Sequence, residues 1–172
     1  MEQAHDLGNV GSDVLELAVA DATRAIDQQS AKLEEHRGRA ATILTGGSIV
    51  ASFLGTAVLD RIDSPVYEAD RDIRVLVAAS IGLIAFVVVA FLAGFTLRPS
   101  KGWAFGRSPA KLISFVTHPA TINADAYRRF TLEDLADDHA RNELRLQPLT
   151  NAVRRAVYAL AAETVGFLIA LM

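Results

Sequence analysis

Few residues in this sequence are arranged in a pattern typical of catalysis or metal binding. The four histidines are scattered along the chain, and none belongs to an H-E-x-x-H or paired-carboxylate pattern. No cysteine is present, which excludes disulfides, thiolate zinc sites and a cysteine nucleophile. The only adjacent glycines lie inside an apolar run, so they do not form a phosphate-binding loop. We therefore expect no catalytic residues, no metal site and no cofactor, and a membrane enzyme is the least favoured function.

One acidic residue, Glu163, lies inside an otherwise apolar stretch near the C-terminus. A charged carboxylate exposed to lipid at mid-bilayer costs about 2.5 kcal/mol or more. We therefore expect Glu163 to face other helices, to be protonated or to line water, with Ser48, Ser52, Thr45 and Ser80 as partners. Two roles stay open: a functional intramembrane acid, or a neutral carboxyl that holds helices together.

A small set of arginines could bind an anionic ligand, because the planar guanidinium group matches the geometry of phosphate. The candidates are Arg128, Arg129, Arg141 and Arg145. The alternative is that they belong to solvated helix faces and pair with neighbouring acidic residues. The net charge of -3 argues against a nucleic-acid partner, since phosphate backbones attract a surplus of positive charge.

Two uncharged apolar runs, 40–59 and 75–97, are long enough to be transmembrane helices. The alternative is a pair of buried helices in a soluble bundle, but such helices normally keep a polar stripe. A third apolar run, 156–172, is interrupted by Glu163 and is at the lower limit of a span. We predict a third transmembrane helix there, with a helix on the membrane surface as the alternative.

Small residues line the first run at helical spacing. Gly47, Ala51 and Gly55 share one face. Ser48, Ser52 and Thr56 form the adjacent row. Small residues at this spacing let helix backbones approach closely, and hydroxyl groups can bond across the contact. We predict that the first face packs against the second span, with a wet path in an oligomer as the alternative for the hydroxyl row.

The polar segments are also predicted to be helical. Apolar residues recur at spacings of three and four from Leu15 to Leu33, which predicts a one-faced helix that continues into the first span and bends near Gly38. A second helix is predicted from Asn123 to about Gln147, where Pro148 ends it. Its acidic residues are predicted to point mainly outward: Glu133, Asp134, Asp137 and Asp138.

The segment between the second span and this helix combines aromatic and cationic residues. Trp103 and Phe105 stand beside lysine and arginine, a mixture typical of the headgroup region. Ser108 and Pro109 predict the start of a short helix. Lysine and arginine at the ends of the hairpin outnumber those in its loop, so the positive-inside rule puts the N-terminus in the cytoplasm.

The order of these features resembles a family of small bacterial membrane proteins. A cytoplasmic helix enters a two-span hairpin through HRGRAATILTGGSIVASFLG, and a later cytoplasmic helix enters the last apolar run through LEDLADDHARNELRLQPLTNAVRRAVYALAAETVGFLIAL. This arrangement is similar to the Pycsar transmembrane effectors of anti-phage defence and to the related SLATT proteins. The resemblance implies a protein that senses a cyclic nucleotide made on infection and then permeabilises the inner membrane.

The sequence thus predicts an all-α integral membrane protein: a two-span hairpin, a C-terminal third span and cytoplasmic helices. The expected segments are 1–39, 40–97, 98–155 and 156–172. The expected function is a non-enzymatic membrane effector in the inner membrane that forms a homo-oligomer and responds to a cyclic nucleotide. The alternative is an accessory subunit or scaffold of a larger membrane complex.

Overall fold

The computed structural model of the protein describes residues 12–62, 69–99, 102–105, 113 and 123–172, and side chains within these ranges except at 61, 62 and 69–72. Three long helices account for nearly all of them: α1 (Ser12–Ile62), α2 (Ala69–Leu97) and α3 (Ala124–Leu171). No strand occurs in these ranges. The prediction of an all-α fold is therefore confirmed for the described part of the chain.

Helix α1 joins the polar N-terminal segment to the first apolar run without a break, as the sequence predicts. Asp13 lies in its first turn, where a negative charge is favourable beside the free backbone N–H groups. Leu15, Ile26 and Leu33 are almost fully buried, so the apolar spacing in the sequence identifies the packed face of this half of the helix correctly.

Helix α3 differs from the prediction because it continues through Pro148. It begins as expected at Asn123, whose side-chain oxygen accepts a hydrogen bond of 2.6 Å from the backbone N–H of Ala126. Proline removes one intrahelical hydrogen bond, but Leu146 before it and Leu149 after it are both buried. Tertiary packing on either side of the proline thus outweighs its local preference to end a helix.

Contacts divide the chain into two compact units. The polar unit comprises Met1–Leu33 and Ser100–Leu146, and the apolar unit comprises Glu34–Pro99 and Gln147–Met172. Both divisions fall inside a helix, between Leu33 and Glu34 of α1 and between Leu146 and Gln147 of α3. Helices α1 and α3 therefore each contribute residues to both units.

The polar unit has hydrophilic side chains in its interior, which corrects one expectation from the sequence. Asp134 and Asp138 were predicted to point outward, yet only 9% and 6% of their surface is exposed. Thr131 and Asn142 continue the same buried face at helical spacing. The prediction failed because it assigned acidic residues to the solvent side, whereas these two have polar partners that allow their burial.

The apolar unit buries mostly small and medium side chains, with Phe167 as a larger exception, and exposes many large ones. Along α2, the buried face consists of small or medium residues at helical spacing. These are Val75, Ala78, Gly82, Ala85, Val89, Ala93 and Thr96. The opposite face carries exposed residues such as Ile84 and Phe91, and α1 likewise exposes Phe53. Two apolar clusters, one around Val89 and Ala156 and one around Val75 and Phe167, hold the three helices together.

Two helices are long and apolar enough to cross a membrane, judged by length and composition: α1 over Ser12–Asp60 and α2 over Ile73–Leu97. In their most apolar windows only 17% and 22% of the residues are buried. A core helix of a soluble protein would be mostly buried, so the apolar surface of these windows faces outward rather than into a core.

The predicted start of a short helix at Ser108 and Pro109 lies outside the described residues.

Candidate functional site

Glu163 lies in the interior of the apolar unit, with none of its surface exposed. It belongs to α3, and Gly47 of α1 and Val89 of α2 lie at the same level. A Cβ atom added to Gly47 would lie 3.1 Å from Oε2 of Glu163 and 3.3 Å from a methyl carbon of Val89. The glycine thus leaves the space that the carboxyl group occupies. Three helices therefore meet around one acidic side chain.

The carboxyl group of Glu163 has no hydrogen-bond partner among the described residues. The hydroxyl groups predicted to bond it donate instead to their own helices. Ser48 and Ser52 donate to the backbone oxygens of Leu44 and Ser48, at 2.9 and 2.7 Å. Thr45 and Ser80 bond in the same way. The prediction of these partners is wrong because a hydroxyl in a helix reaches its own carbonyl four residues back more easily than a neighbouring helix.

The hydroxyl row of Ser48, Ser52 and Thr56 is exposed on the outside of the apolar unit. Thr56 donates to the backbone oxygen of Ser52 at 2.6 Å, so every hydroxyl in the row bonds within α1. The row therefore presents a narrow, slightly polar strip on the outer surface of the helix.

The neighbouring row of small residues turns inward. Gly47 is buried, Ala51 and Gly55 are partly buried, and a Cβ atom on Gly55 would lie 4.0 Å from the ring of Phe167. This row of α1 contacts α3, whereas the sequence predicted a contact with the second span. At Gly47 it also approaches Val89 of that span.

A closer helix contact occurs between α2 and α3, at Gly82 and Gly166. A Cβ atom added to Gly166 would lie 2.9 Å from the backbone nitrogen of Gly82 and 3.2 Å from the backbone oxygen of Ala78. Only glycine fits at this contact, because any side chain would meet backbone atoms. Gly166 was not predicted from the sequence as a contact residue. Its position three residues after Glu163, about one helical turn away, could have identified it.

Of the candidate phosphate-binding arginines, Arg128 is paired with acidic residues of the polar unit. Its guanidinium group donates to Asp125 at 3.1 Å and to Glu16 at 3.2 Å, and it also contacts the hydroxyl of Ser12. The next residue, Arg129, is partly buried and also has a partner. Arg128 therefore joins the start of α1 to the start of α3 within this unit.

The other two candidates lie later in α3. Arg141 pairs with Asp138 at 3.3 Å, as the alternative of intrahelical ion pairs predicts. Arg145 packs over Gly102, where a Cβ atom would lie 2.5 Å from its guanidinium nitrogen. Gly102 also has a backbone φ of 94°, which favours glycine for a second reason.

The four arginines do not converge within one chain. At a rise of 1.5 Å per residue, the twelve residues from Arg129 to Arg141 cover roughly 18 Å along α3. That distance exceeds the reach of one phosphate group. A single small ligand therefore contacts only one of the two arginine pairs within a chain.

A short segment packs onto α3 near the second pair. The side-chain amide of Asn142, which is fully buried, donates to the backbone oxygen of Ala104 at 2.8 Å and accepts from its N–H at 3.2 Å. The rings of Trp103 and Phe105 stack with centroids 5.3 Å apart, and both residues are partly buried in the polar unit. No pattern in the sequence indicates that Asn142 makes two bonds to one residue.

Among the described residues, no three histidine, cysteine, aspartate or glutamate side chains lie close enough together to hold a metal ion. Comparison of the chain with profiles of protein families, with curated proteins and with solved structures found no match.

Proposed function

We propose that this chain is a non-enzymatic membrane effector of bacterial anti-phage defence, which senses a cyclic nucleotide and then disrupts the inner membrane. The distribution of side-chain size in the apolar unit is the observation that supports a membrane location. Large apolar residues such as Phe53, Ile84 and Phe91 face outward, while glycine and alanine face inward. Lipid solvates such an outer surface, and small residues allow the close helix contacts that membrane proteins use.

The C-terminal part of α3 completes a three-span bundle in this proposal. Its one acidic residue, Glu163, is buried among the helices, so the outer face of α3 remains apolar with exposed residues such as Val165 and Ile169. Burial inside the bundle avoids the cost of placing a carboxylate in lipid. The arginines before the first and third apolar runs support a cytoplasmic N-terminus.

The polar unit supplies the ligand-binding part of the proposal. Arg141 and Arg145 are one helical turn apart on α3, and more than half of the Arg141 side chain is exposed. Asp138, its ion-pair partner, is buried, so the exposed side of the Arg141 guanidinium is the part that a phosphate group can reach. The class of ligand, a cyclic nucleotide, comes from the resemblance to the Pycsar effectors.

The membrane disruption is proposed to involve Glu163. The carboxyl group is buried in the packed bundle and has no hydrogen-bond partner among the described residues, and a buried polar group without a partner costs about 1–3 kcal/mol. Any rearrangement that admits water to Glu163 recovers that cost. Because α1 and α3 contribute to both units, a change in the polar unit has a continuous helical path to the packing around this residue.

A second candidate function is a scaffold or accessory subunit of a membrane complex. The observation in its favour is the exposed row of Ser48, Ser52 and Thr56 on α1, because small residues on an outer face permit close packing of another helix. A second copy of this chain would use the same row in a homo-oligomer. A scaffold needs no soluble ligand, which separates it from the effector.

The effector proposal is tested by measuring membrane potential with a dye in bacterial cells that express the chain with a pyrimidine cyclase. We expect depolarisation that depends on cyclase activity, with an inactive cyclase as the control. Arg141→Gln should weaken the response, whereas Arg24→Gln should preserve it, because Arg24 forms a comparable exposed ion pair away from the candidates. Loss of the response in Glu163→Gln would support a mechanistic role for that residue.

An unchanged potential in cells that contain abundant, inserted protein and the cyclic nucleotide would reject the effector for that ligand. Stable co-purification with another membrane protein under the same conditions would then favour the scaffold.

A further inference from the structure

A groove of about 800 Å³ opens in the apolar unit, between residues 35–43 of α1 and 150–158 of α3. It lies where both helices change from charged to apolar sequence: Arg39 precedes the first apolar run, and Arg154 precedes the last. In the membrane arrangement proposed above, both changes occur at the cytoplasmic surface. The groove therefore lies at the level of the lipid headgroups.

The walls of the groove are apolar toward the bilayer and basic at the other end. Ile43, Val153 and Val157 supply aliphatic surface, and the phenol ring of Tyr158 lies beside them. Tyrosine is enriched at membrane interfaces because it has an apolar ring and a polar tip. The groove thus offers an apolar channel of the kind that accommodates a hydrocarbon chain.

The basic end carries two arginines. Arg154 is exposed and forms no ion pair with any residue that the structure describes. Arg39 pairs with Glu35, which also lines the groove, but both side chains are more than half exposed, so the pair opens at small cost. Together, Glu35, Arg39 and Arg154 leave one positive charge in excess.

A hydrogen bond fixes the bottom of the polar end. The ring nitrogen Nε2 of His36 on α1 lies 3.0 Å from the hydroxyl of Thr150 on α3. The other ring nitrogen, Nδ1, is buried and has no partner among the described residues. The polar end therefore combines cationic groups with a hydrogen bond that joins α1 to α3.

We propose that this groove binds an anionic phospholipid, with its phosphate between Arg39 and Arg154 and one acyl chain along Ile43 and Val157. Charge complementarity and an adjoining apolar channel at headgroup level are the features by which basic pockets between transmembrane helices bind anionic lipids. A soluble phosphate compound would leave the apolar walls of the groove exposed. The lipid occupies both ends of the groove.

The test measures lipid binding to the full chain in detergent by native mass spectrometry, with dioleoyl phosphatidylglycerol and dioleoyl phosphatidylcholine as probes. We expect tighter binding of phosphatidylglycerol. Arg154→Gln should weaken it about tenfold through loss of one charged hydrogen bond, and Arg39→Gln should weaken it as a second, independent variant.

The matched control is Arg155→Gln, which removes the same charge from the neighbouring exposed residue that does not line the groove. It should leave phosphatidylglycerol binding nearly unchanged. An equal loss of binding in Arg154→Gln and Arg155→Gln, or equal binding of the two lipids, would overturn the groove as a specific site. Thermal unfolding of each variant checks that the bundle remains folded.

Glycerol 3-phosphate distinguishes a lipid site from a soluble phosphate site, because it carries the headgroup phosphate without acyl chains. We expect no displacement of phosphatidylglycerol at equal concentration, and Val157→Gln should weaken lipid binding without a change of charge. Displacement by glycerol 3-phosphate would overturn the proposal. The inference depends on the membrane location of the apolar unit but not on the nucleotide response. If the chain inserts into the membrane and shows no lipid preference, the lipid site is rejected and the effector proposal is not affected.

Discussion

The two units bury polar groups in opposite ways. In the polar unit, each buried polar side chain has at least one partner: the amide nitrogen of Gln29 donates to the backbone oxygen of His139 at 3.0 Å, although its Oε1 has no partner among the described residues, and Asn142 makes two bonds to Ala104. In the apolar unit, the interior consists mostly of small and medium apolar residues, with the ring of Phe167, around one acidic residue, Glu163, that has no partner among the described residues. Hydrogen bonds therefore specify the packing of the polar unit, whereas side-chain volume specifies the packing of the apolar unit.

The largest expected effect comes from volume at the helix contact in the apolar unit. Gly166→Val would place side-chain atoms against the backbone of Gly82, so α2 and α3 must separate. We expect the free energy of unfolding in detergent to fall by about 3 kcal/mol, at the upper end of typical overpacking costs. The measurement is denaturant unfolding monitored by circular dichroism.

The matched control for this prediction is Gly94→Val on α2, where an added Cβ atom has open space. It should unfold like the wild type. An equally stable Gly166→Val variant would show that volume does not specify the apolar unit.

The next largest effect is the loss of a buried hydrogen-bonding group in the polar unit. Asn142→Leu leaves the N–H and the oxygen of Ala104 without their partner, which we expect to cost about 2 kcal/mol. Trp103, the sole tryptophan of the sequence, should shift its emission to longer wavelength as the segment detaches. The exposed Asn151→Leu is the control, and an unshifted emission in Asn142→Leu would contradict the assigned contact.

The third prediction has the opposite sign. Glu163→Met replaces an unpartnered carboxyl with an apolar side chain of similar length, so the bundle should gain about 1–2 kcal/mol. Thermal unfolding in detergent measures the gain. Glu163→Gln, which keeps a buried polar group, should gain less, and destabilisation by methionine would indicate that the carboxyl has a bound partner.

The smallest effect is expected on the outer surface of the apolar unit. Ser52→Ala removes a hydroxyl that bonds only its own helix, so the free energy of unfolding should change by less than about 0.5 kcal/mol. Light scattering of the detergent complex should report the same oligomeric state as Ser80→Ala, its counterpart on α2. A specific loss of oligomer in Ser52→Ala would assign the hydroxyl row to a contact between copies.

Helical periodicity predicted most of the fold, because burial repeats at the spacing of the apolar residues. It gave the continuous α1, the inward Leu15 and Ile26, and the two apolar helices. It failed at Pro148, where packing on both sides preserves α3, and at Asp134 and Asp138, which are buried with partners instead of facing solvent. Local preference contains no information about such partners.

The candidate sites were harder to predict from the sequence than the fold. The sequence drew attention to Glu163 because an acidic residue in an apolar run is unusual, but it assigned the wrong hydroxyl partners. It also grouped four arginines that lie in two separate places along α3. The groove at Arg39 and Arg154 was not anticipated, because it requires knowing which turns of α1 and α3 lie side by side.

The arrangement of α2, with small residues inside and large ones outside, has a consequence for how this protein can evolve. Positions such as Leu83, Ile84 and Val87 need only remain hydrophobic, so they can exchange freely among leucine, isoleucine, valine and phenylalanine. Gly82, where an added Cβ atom would lie 3.1 Å from the ring of Phe167, tolerates almost no gain in volume. Among natural variants, the residues on the exposed face of α2 should therefore differ often. Residues on its buried face should change only together with residues of a partner helix.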